Sequence, residues 1–389
     1  GSFDGPLHAR LRARIGGLVS QPPETVMLTA SGMGAIFAAL RLTHAVVERA
    51  EEKPVVVFGF PYLDTLKLVS RPELHRGGAV FLGHGDAADL ARLEAMLRER
   101  PRGVAAVFTE CPSNPLLRCP PLRALSRLAR EHGFPLVVDD TIANFANVDL
   151  MPVADVVVSS LTKLFSGRGD VLAGSLVLSQ QSPLYPAAAK ALPALRPCPL
   201  HVQDAASLEL NSRDFAERNA KINANADALA DWLAARPDVA AVYHPRITSP
   251  AEYAEVVRPG GGHGCLLSFL PARGCDEAVL YNTLETAKGP SLGTNYTLVC
   301  PYTLLAHYTE LEWARGFGVC HRLIRVSVGL EPIERLQEVF DRALRASKVC
   351  PIWTALSHFL PAARPKQHIM SFLSGKESED AAPTTDCAA

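Results

Sequence analysis

The chain has 389 residues, 48% of them hydrophobic and 20% charged, with 39 basic against 40 acidic side chains for a net charge of −1. That length exceeds one small core and suits two domains, one of them large. The charge balance leaves no basic surplus for nucleic acid or an anionic membrane, no apolar run is long enough to span a bilayer, and no secretory signal opens the chain.

From about Met27 to Leu176 helical and strand patterns alternate. Ser31-Gly32 opens a helix running to Leu42, and Val55-Val56-Val57-Phe58 reads as a short strand. Asp89 to Leu97 is helical, Val104 to Phe108 is a strand, and Leu122 to His132 is a helix stopped by Gly133. Leu136-Val137-Val138 and Val156-Val157-Val158 are further strands. Short apolar runs without alternation, set between helices, imply a parallel sheet covered on both faces. Beyond Asp204 the texture changes. A long Ala- and Asn-rich helix spans Ala216 to Ala235, Cys265 to Phe269 and Leu323 to Val328 read as strands, and a last helix covers Ile333 to Ser347. This second part reads as a smaller α+β domain. After Pro361 the chain is polar and reads as a disordered tail.

Nine cysteines (111, 119, 198, 265, 275, 300, 320, 350 and 387) form no C-x-x-C pair. The odd count and the spacing argue against a disulfide framework and a structural zinc site, and point to small buried hydrophobes in a reducing compartment. A cytoplasmic location is the default expectation. The twelve histidines show no metal-ligand spacing, so no metal is expected.

The chemistry-bearing stretch is Val156 to Lys163, followed by Ser166-Gly167-Arg168-Gly169-Asp170. A β-branched strand delivers two hydroxyls and a lysine to its end, then breaks into a glycine-rich turn. Lys163 suits a Schiff base with a carbonyl cofactor, and Ser160 and Thr162, on one face of an extended segment, suit its phosphate. The plainer alternative is a strand followed by a solvated lysine. Four more sites become coherent if the cofactor is pyridoxal 5′-phosphate. Asp139, closing the run Leu136 to Asp139, suits a protonated pyridine nitrogen; a capping aspartate is the rival, and for Asp140 the preferred reading. Ser31-Gly32-Met33 opens a helix whose amides and dipole favour a phosphate, or is a simple cap. Tyr62, just after a strand, suits stacking on a ring, or half-buried packing. Arg325, between apolar Ile324 and Val326, suits the bidentate grip of a substrate carboxylate, or a structural ion pair.

Together these segments resemble the Cys/Met-metabolism family of pyridoxal-phosphate enzymes, from roughly Leu18 to Ala346. The marks are Ser31-Gly32-Met33, Glu110 to Leu117 (ECPSNPLL), Val137 to Thr141 (VVDDT), Ser160-Leu161-Thr162-Lys163, Ser291-Leu292-Gly293 and Arg325 to Leu330 (RVSVGL). Phe58 to Thr65 and Ser291 to Leu298 are most similar to the fungal cystathionine γ-synthase branch. The resemblance implies an α/β, fold-type I transferase: a large domain with a mostly parallel sheet covered by helices, plus the smaller C-terminal α+β domain. The expected division is an N-terminal arm remnant at 1–18, a cofactor-binding large domain at 19–220, a small domain at 221–360 and a tail at 361–389.

Carried over by position, the resemblance makes Lys163, Tyr62 and Asp139 catalytic. It assigns Gly32, Met33, Tyr62, Asn114, Asp139, Thr141, Ser160, Thr162 and Lys163 to the cofactor, and Ser291, Leu292 and Arg325 to the substrate. The family's Tyr-x-Arg phosphate clamp belongs upstream of about Leu7 and is not found, Tyr296 stands where many bacterial members carry Glu, and Asp140 where Asn is more usual. The implied activity is γ-replacement on an O-acyl-L-homoserine, the O-acetyl ester first, adding a thiol such as cysteine or a carbon nucleophile, in a homodimer or homotetramer. A γ- or β-lyase that releases ammonia and a keto acid is the alternative, and a non-catalytic relative the third reading.

Overall fold

The computed structural model describes residues 4–195 and 198–348; the expected tail at 361–389 lies outside them. The N-terminal two thirds is built on seven strands: β1 (Val26–Thr29), β2 (Val55–Phe58), β3 (Ala79–Leu82), β4 (Ala106–Glu110), β5 (Leu136–Asp139), β6 (Val156–Ser159) and β7 (Gly174–Leu178). They lie in the order β1-β7-β6-β5-β4-β2-β3. β2 to β6 pair parallel, and β7 runs against both β6 and β1.

Successive side chains of a strand face opposite ways, so each apolar run feeds two cores. Val56, Phe58, Val107, Leu136, Val138 and Val157 belong to one buried cluster. Their neighbours Val55, Val57, Phe108, Val137, Val156 and Val158 belong to another, under the helix Gly32–Val46. That double burial is why the strands read as continuous apolar runs.

Local signals placed several elements well. The helix Leu122–His132 ends on Gly133, whose φ of 72° is left-handed, the backbone that favours glycine. Ser31 caps its helix by accepting from Gly34 N at 3.1 Å. Most of the expected arm at 1–18 lies in a helix, Pro6–Val19, that places Leu11 and Ile15 in the main core. The expected strand at 104–108 falls two residues later, which brings Glu110 to its end.

The second sheet has five strands: β8 (Val239–Tyr243), β9 (Leu266–Pro271), β10 (Ala287–Lys288), β11 (Leu298–Pro301) and β12 (Ile324–Ser327), ordered β10-β11-β12-β9-β8. Ile324 and Val326 join the core beneath the helices Phe215–Ala234 and Ile333–Ala346, which sends Arg325 and Ser327 to the opposite face. The helix Phe215–Ala234 bridges the two parts: Phe215 and Ile222 lie in the first core, and Ala226, Leu229 and Leu233 in the second.

Buried amides reinforce that bridge. Asn147 Oδ1 accepts from Asn219 Nδ2 at 2.9 Å, Asn223 Nδ2 at 2.7 Å and Gly262 N at 3.0 Å. Asn144 Nδ2 donates to Asn219 Oδ1 at 2.8 Å, and Asn223 Oδ1 accepts from Gly264 N at 3.0 Å. Asn144 and Asn147 follow β5, so the loop beyond Asp139 is tied to the bridging helix.

Candidate active site

Open parallel sheets present ligands at the carboxyl ends of their strands, and the chemistry-bearing residues gather there. β4 ends on Glu110 and β5 on Asp139, which are register partners; Asp139 in turn faces Val158 of β6. Beyond Ser159 the chain turns instead of staying extended. Lys163 N donates to Ser160 O at 3.1 Å and Gly167 N to Lys163 O at 2.7 Å. This corrects the expectation that Ser160 and Thr162 share one face of an extended segment. Thr162 Oγ1 is engaged with the backbone of Ala173, accepting from its N at 3.0 Å and reaching its O at 3.3 Å.

Ser160 meets the start of the helix at Gly32. A Cβ on Gly32 would stand 2.8 Å from the Ser160 Cβ, so only glycine lets the first-turn amides approach that hydroxyl so closely. Thr141 Oγ1 accepts from Ser160 N at 2.8 Å and fixes the turn. Met33 packs its side chain toward the sheet core. Gly32, Met33 and Ser160 therefore form a helix-terminus cradle suited to phosphate, while Thr141 and Thr162 act on its backbone.

Lys163 is partly buried and its Nζ donates to Ser291 Oγ at 2.8 Å. Burial first, then the nearby Arg325 charge, pulls the ammonium pKa below its usual value, toward the neutral amine that carbonyl chemistry needs. The 291–293 segment reaches this lysine because Gly293 has φ 77° and no side chain; a Cβ there would lie 2.6 Å from Leu164 N and 2.9 Å from Lys163 Cβ. Gly293 N is held by Ser327 Oγ at 2.8 Å, and Leu292 is buried beside it. From behind, Arg218 donates to Leu164 O and Phe165 O, each at 3.1 Å, bracing the turn that carries the lysine.

The acids form a second group. Asp139 Oδ1 accepts from Thr141 N at 2.9 Å, yet burial still raises its pKa. Glu110 accepts from Tyr62 N, and burial, with the adjacent Asp139 adding to it, pushes its pKa well up. Asp140 is 2% exposed, and burial pushes its pKa up to about 8. Tyr62 is 47% exposed at the mouth; partial burial and a bond to Asp64 raise its phenol.

On the other wall, Arg325 is 3% exposed. Its Nη1 donates to Asn114 Oδ1 at 3.0 Å, its Nη2 reaches Ser291 O at 3.1 Å and Pro290 O, and its guanidinium lies 4.6 Å from the centre of the Tyr302 ring. Asn114 Nδ2 donates to the Tyr302 hydroxyl at 3.1 Å. Every predicted site residue thus lies on one of these walls or on the segments that brace them.

Sequence reasoning assigned no role to Glu110, Arg218, Gly293 or Tyr302. Glu110 and Gly293 stand inside quoted motifs, and an acid closing a buried strand beside Asp139 was a usable signal. Tyr302 carried none, because its partners Asn114 and Arg325 come from elsewhere in the chain.

The residues fit pyridoxal 5′-phosphate. The helix terminus and Ser160 suit its phosphate, and the amine of Lys163 its aldehyde. Asp139 is a half-buried carboxyl whose pKa-lowering partners are bonds to Thr141 rather than a cation, so a pyridinium nitrogen would supply what it lacks. Among the described residues no group of three or more His, Cys, Asp or Glu is placed to hold a metal, and no helix is long and apolar enough to cross a membrane.

Comparison with known proteins agrees. The cystathionine gamma-synthase of Neurospora crassa is 43% identical over 336 residues, which cover 85% of this chain and 54% of that protein. The cystathionine gamma-synthase-like enzyme iboG1 of Amanita muscaria is 38% identical over 375 residues, covering 88% of this chain and 61% of its own. The chain spans about half the length of the curated relatives it matches. Among solved structures, cystathionine gamma synthase from Xanthomonas oryzae pv. oryzae in complex with cystathionine superposes with a TM-score of 0.75 at 25% identity, over 89% of this chain and 87% of that one. The family model for Cys/Met metabolism PLP-dependent enzymes matches residues 3–345, and the chain belongs to that family.

Proposed function

We propose that this chain performs γ-replacement on an O-acyl-L-homoserine, the O-acetyl ester first, joining its four-carbon unit to a thiol such as cysteine or to a carbon nucleophile. The observation that carries the reading is the Lys163 amine held on Ser291, between the phosphate cradle and the guanidinium of Arg325. Kinship with cystathionine gamma-synthases supports replacement over other chemistries.

Pyridoxal 5′-phosphate, when bound, supplies an electron sink for negative charge at the substrate's α-carbon. The residues do the rest. Asp139 would keep the proton on the cofactor's ring nitrogen by opposite charge, and Tyr62 would cover the ring. Lys163, its pKa lowered, takes the α-carbon proton, and Ser291 keeps its amine aimed while it waits. Arg325 anchors the carboxylate end of the substrate, which leaves the γ-carbon and its ester free to meet the acceptor. The same reading makes 19–220 the cofactor-binding domain and 221–360 the small domain, and places the enzyme in the cytoplasm as a homodimer or homotetramer.

The test is product identity. Holoenzyme is mixed with O-acetyl-L-homoserine alone, with L-cysteine, and with a β-keto acid, and the products are weighed by mass spectrometry. An adduct that forms only when an acceptor is present is the expected result. Ammonia and a keto acid released at the same rate without any acceptor would establish the lyase reading instead, which lyases among the structural relatives keep in view.

A further inference from the structure

The way Arg325 is bonded leaves a gap in the substrate site. A guanidinium grips a carboxylate bidentately by offering two adjacent N–H groups. Here Nη2 faces two acceptors, Pro290 O and Ser291 O, so both of its N–H groups are taken. One N–H of Nη1 goes to Asn114 Oδ1 at 3.0 Å, and the Cys300 thiol also lies against the guanidinium. Both bidentate arrangements that use Nη2 are therefore spent on the protein. Arg325 keeps its charge and single N–H groups for a substrate carboxylate but no adjacent pair, which leaves room for a further donor besides the Ser291 hydroxyl.

Tyr302 meets the requirement. Its hydroxyl is an acceptor for Asn114 Nδ2 at 3.1 Å, and the Asn114 orientation is fixed because its oxygen must face the Arg325 donor. A hydroxyl that accepts still has its own proton to give, and among the described residues no acceptor takes it. Burial pushes the phenol pKa up, so the proton stays on at any working pH. Its ring is stacked against the guanidinium at 4.6 Å, and Tyr302 is 6% exposed. Asn114, Tyr302 and Arg325 thus close a rigid cycle in which position and proton state are both settled before a ligand arrives.

We propose that the Tyr302 hydroxyl is a substrate-binding group, the second donor to the α-carboxylate of the amino-acid substrate alongside Arg325. The inference rests on the reading that the substrate is an α-amino acid, and it goes beyond that reading by naming a contact that was not foreseen at this position.

The test measures binding, so that it stands apart from the identity of the reaction. Holoenzyme and its Tyr302→Phe variant are titrated with L-norleucine and with n-pentylamine, the same molecule without its carboxylate, following the cofactor's absorbance. Tyr302→Phe keeps the ring and its stacking. It should weaken L-norleucine roughly tenfold, the worth of a hydrogen bond to a charged group, and leave n-pentylamine and cofactor uptake by the apo-protein within about twofold. An unchanged L-norleucine affinity would overturn the proposal. So would an equal loss for both ligands, which would make Tyr302 a purely structural prop. An enzyme that binds L-norleucine as expected yet never converts O-acetyl-L-homoserine would refute the proposed reaction and leave this contact standing.

Discussion

The two walls of the site bury charge in opposite ways. Arg325, on the five-stranded sheet, has three oxygen partners and an aromatic face before any ligand arrives. On the seven-stranded sheet Glu110 and Asp140 are buried and Asp139 is half-buried. Their bonds run to backbone amides and hydroxyls, and burial raises all three pKa values. One wall balances its charge with oxygen partners of the chain itself, and the other holds three acids with raised pKa values. On the proposed reading, a cofactor carrying a protonated ring nitrogen would complete the acidic wall, whereas the basic wall would receive a carboxylate.

Substitutions on the two walls should therefore act on stability with opposite signs. Arg325→Ala removes the donor from one buried and two part-buried oxygens and leaves a cavity. We expect the apo-protein to lose about 3 kcal/mol, read by urea unfolding, and amino-acid binding to weaken by about a hundredfold or more. Asp139→Asn should do the reverse to stability, gaining about 1 kcal/mol in the apo-protein because a poorly compensated buried acid is gone. The same change should weaken cofactor uptake about a hundredfold. An apo-protein destabilised by Asp139→Asn would break the contrast.

A further test varies pH. A carboxyl whose folded pKa is raised favours folding most below its unfolded value near 4, and that advantage is lost as pH climbs through the folded value. For Asp140 the window runs from about 4 to about 8. Thermal midpoints of the apo-protein should fall by several degrees from pH 5 to pH 8, and Asp140→Asn should flatten part of that slope. A slope of the same steepness in the variant would assign the dependence to other groups.

How much of this was legible in the sequence depended on how local each cause was. Ser31, Gly133 and the valine runs announce a cap, a stop and two-sided strands through their immediate neighbours, and the helix Leu122–His132 came out residue for residue. The strand Ala79–Leu82 was missed, for only Leu82 in it is fully buried and its apolar run is short. Lys163 and Asp139 stand out in the sequence because each follows a continuous apolar run. A hydroxyl beside a lysine says nothing of Ala173, eleven residues on, whose backbone engages Thr162 Oγ1. Tyr302 was invisible for the same reason on a larger scale: its hydroxyl bonds a residue 188 positions away.

The joint of asparagines between the loop after β5 and the bridging helix has a consequence of its own. Amides neither gain nor lose protons near neutrality and carry no net charge for salt to screen. The fastening behind Asp139 therefore keeps its strength in acid, in alkali and in brine, while the carboxyls in front of it change state. The acid face is free to answer its surroundings because the anchor at its back does not.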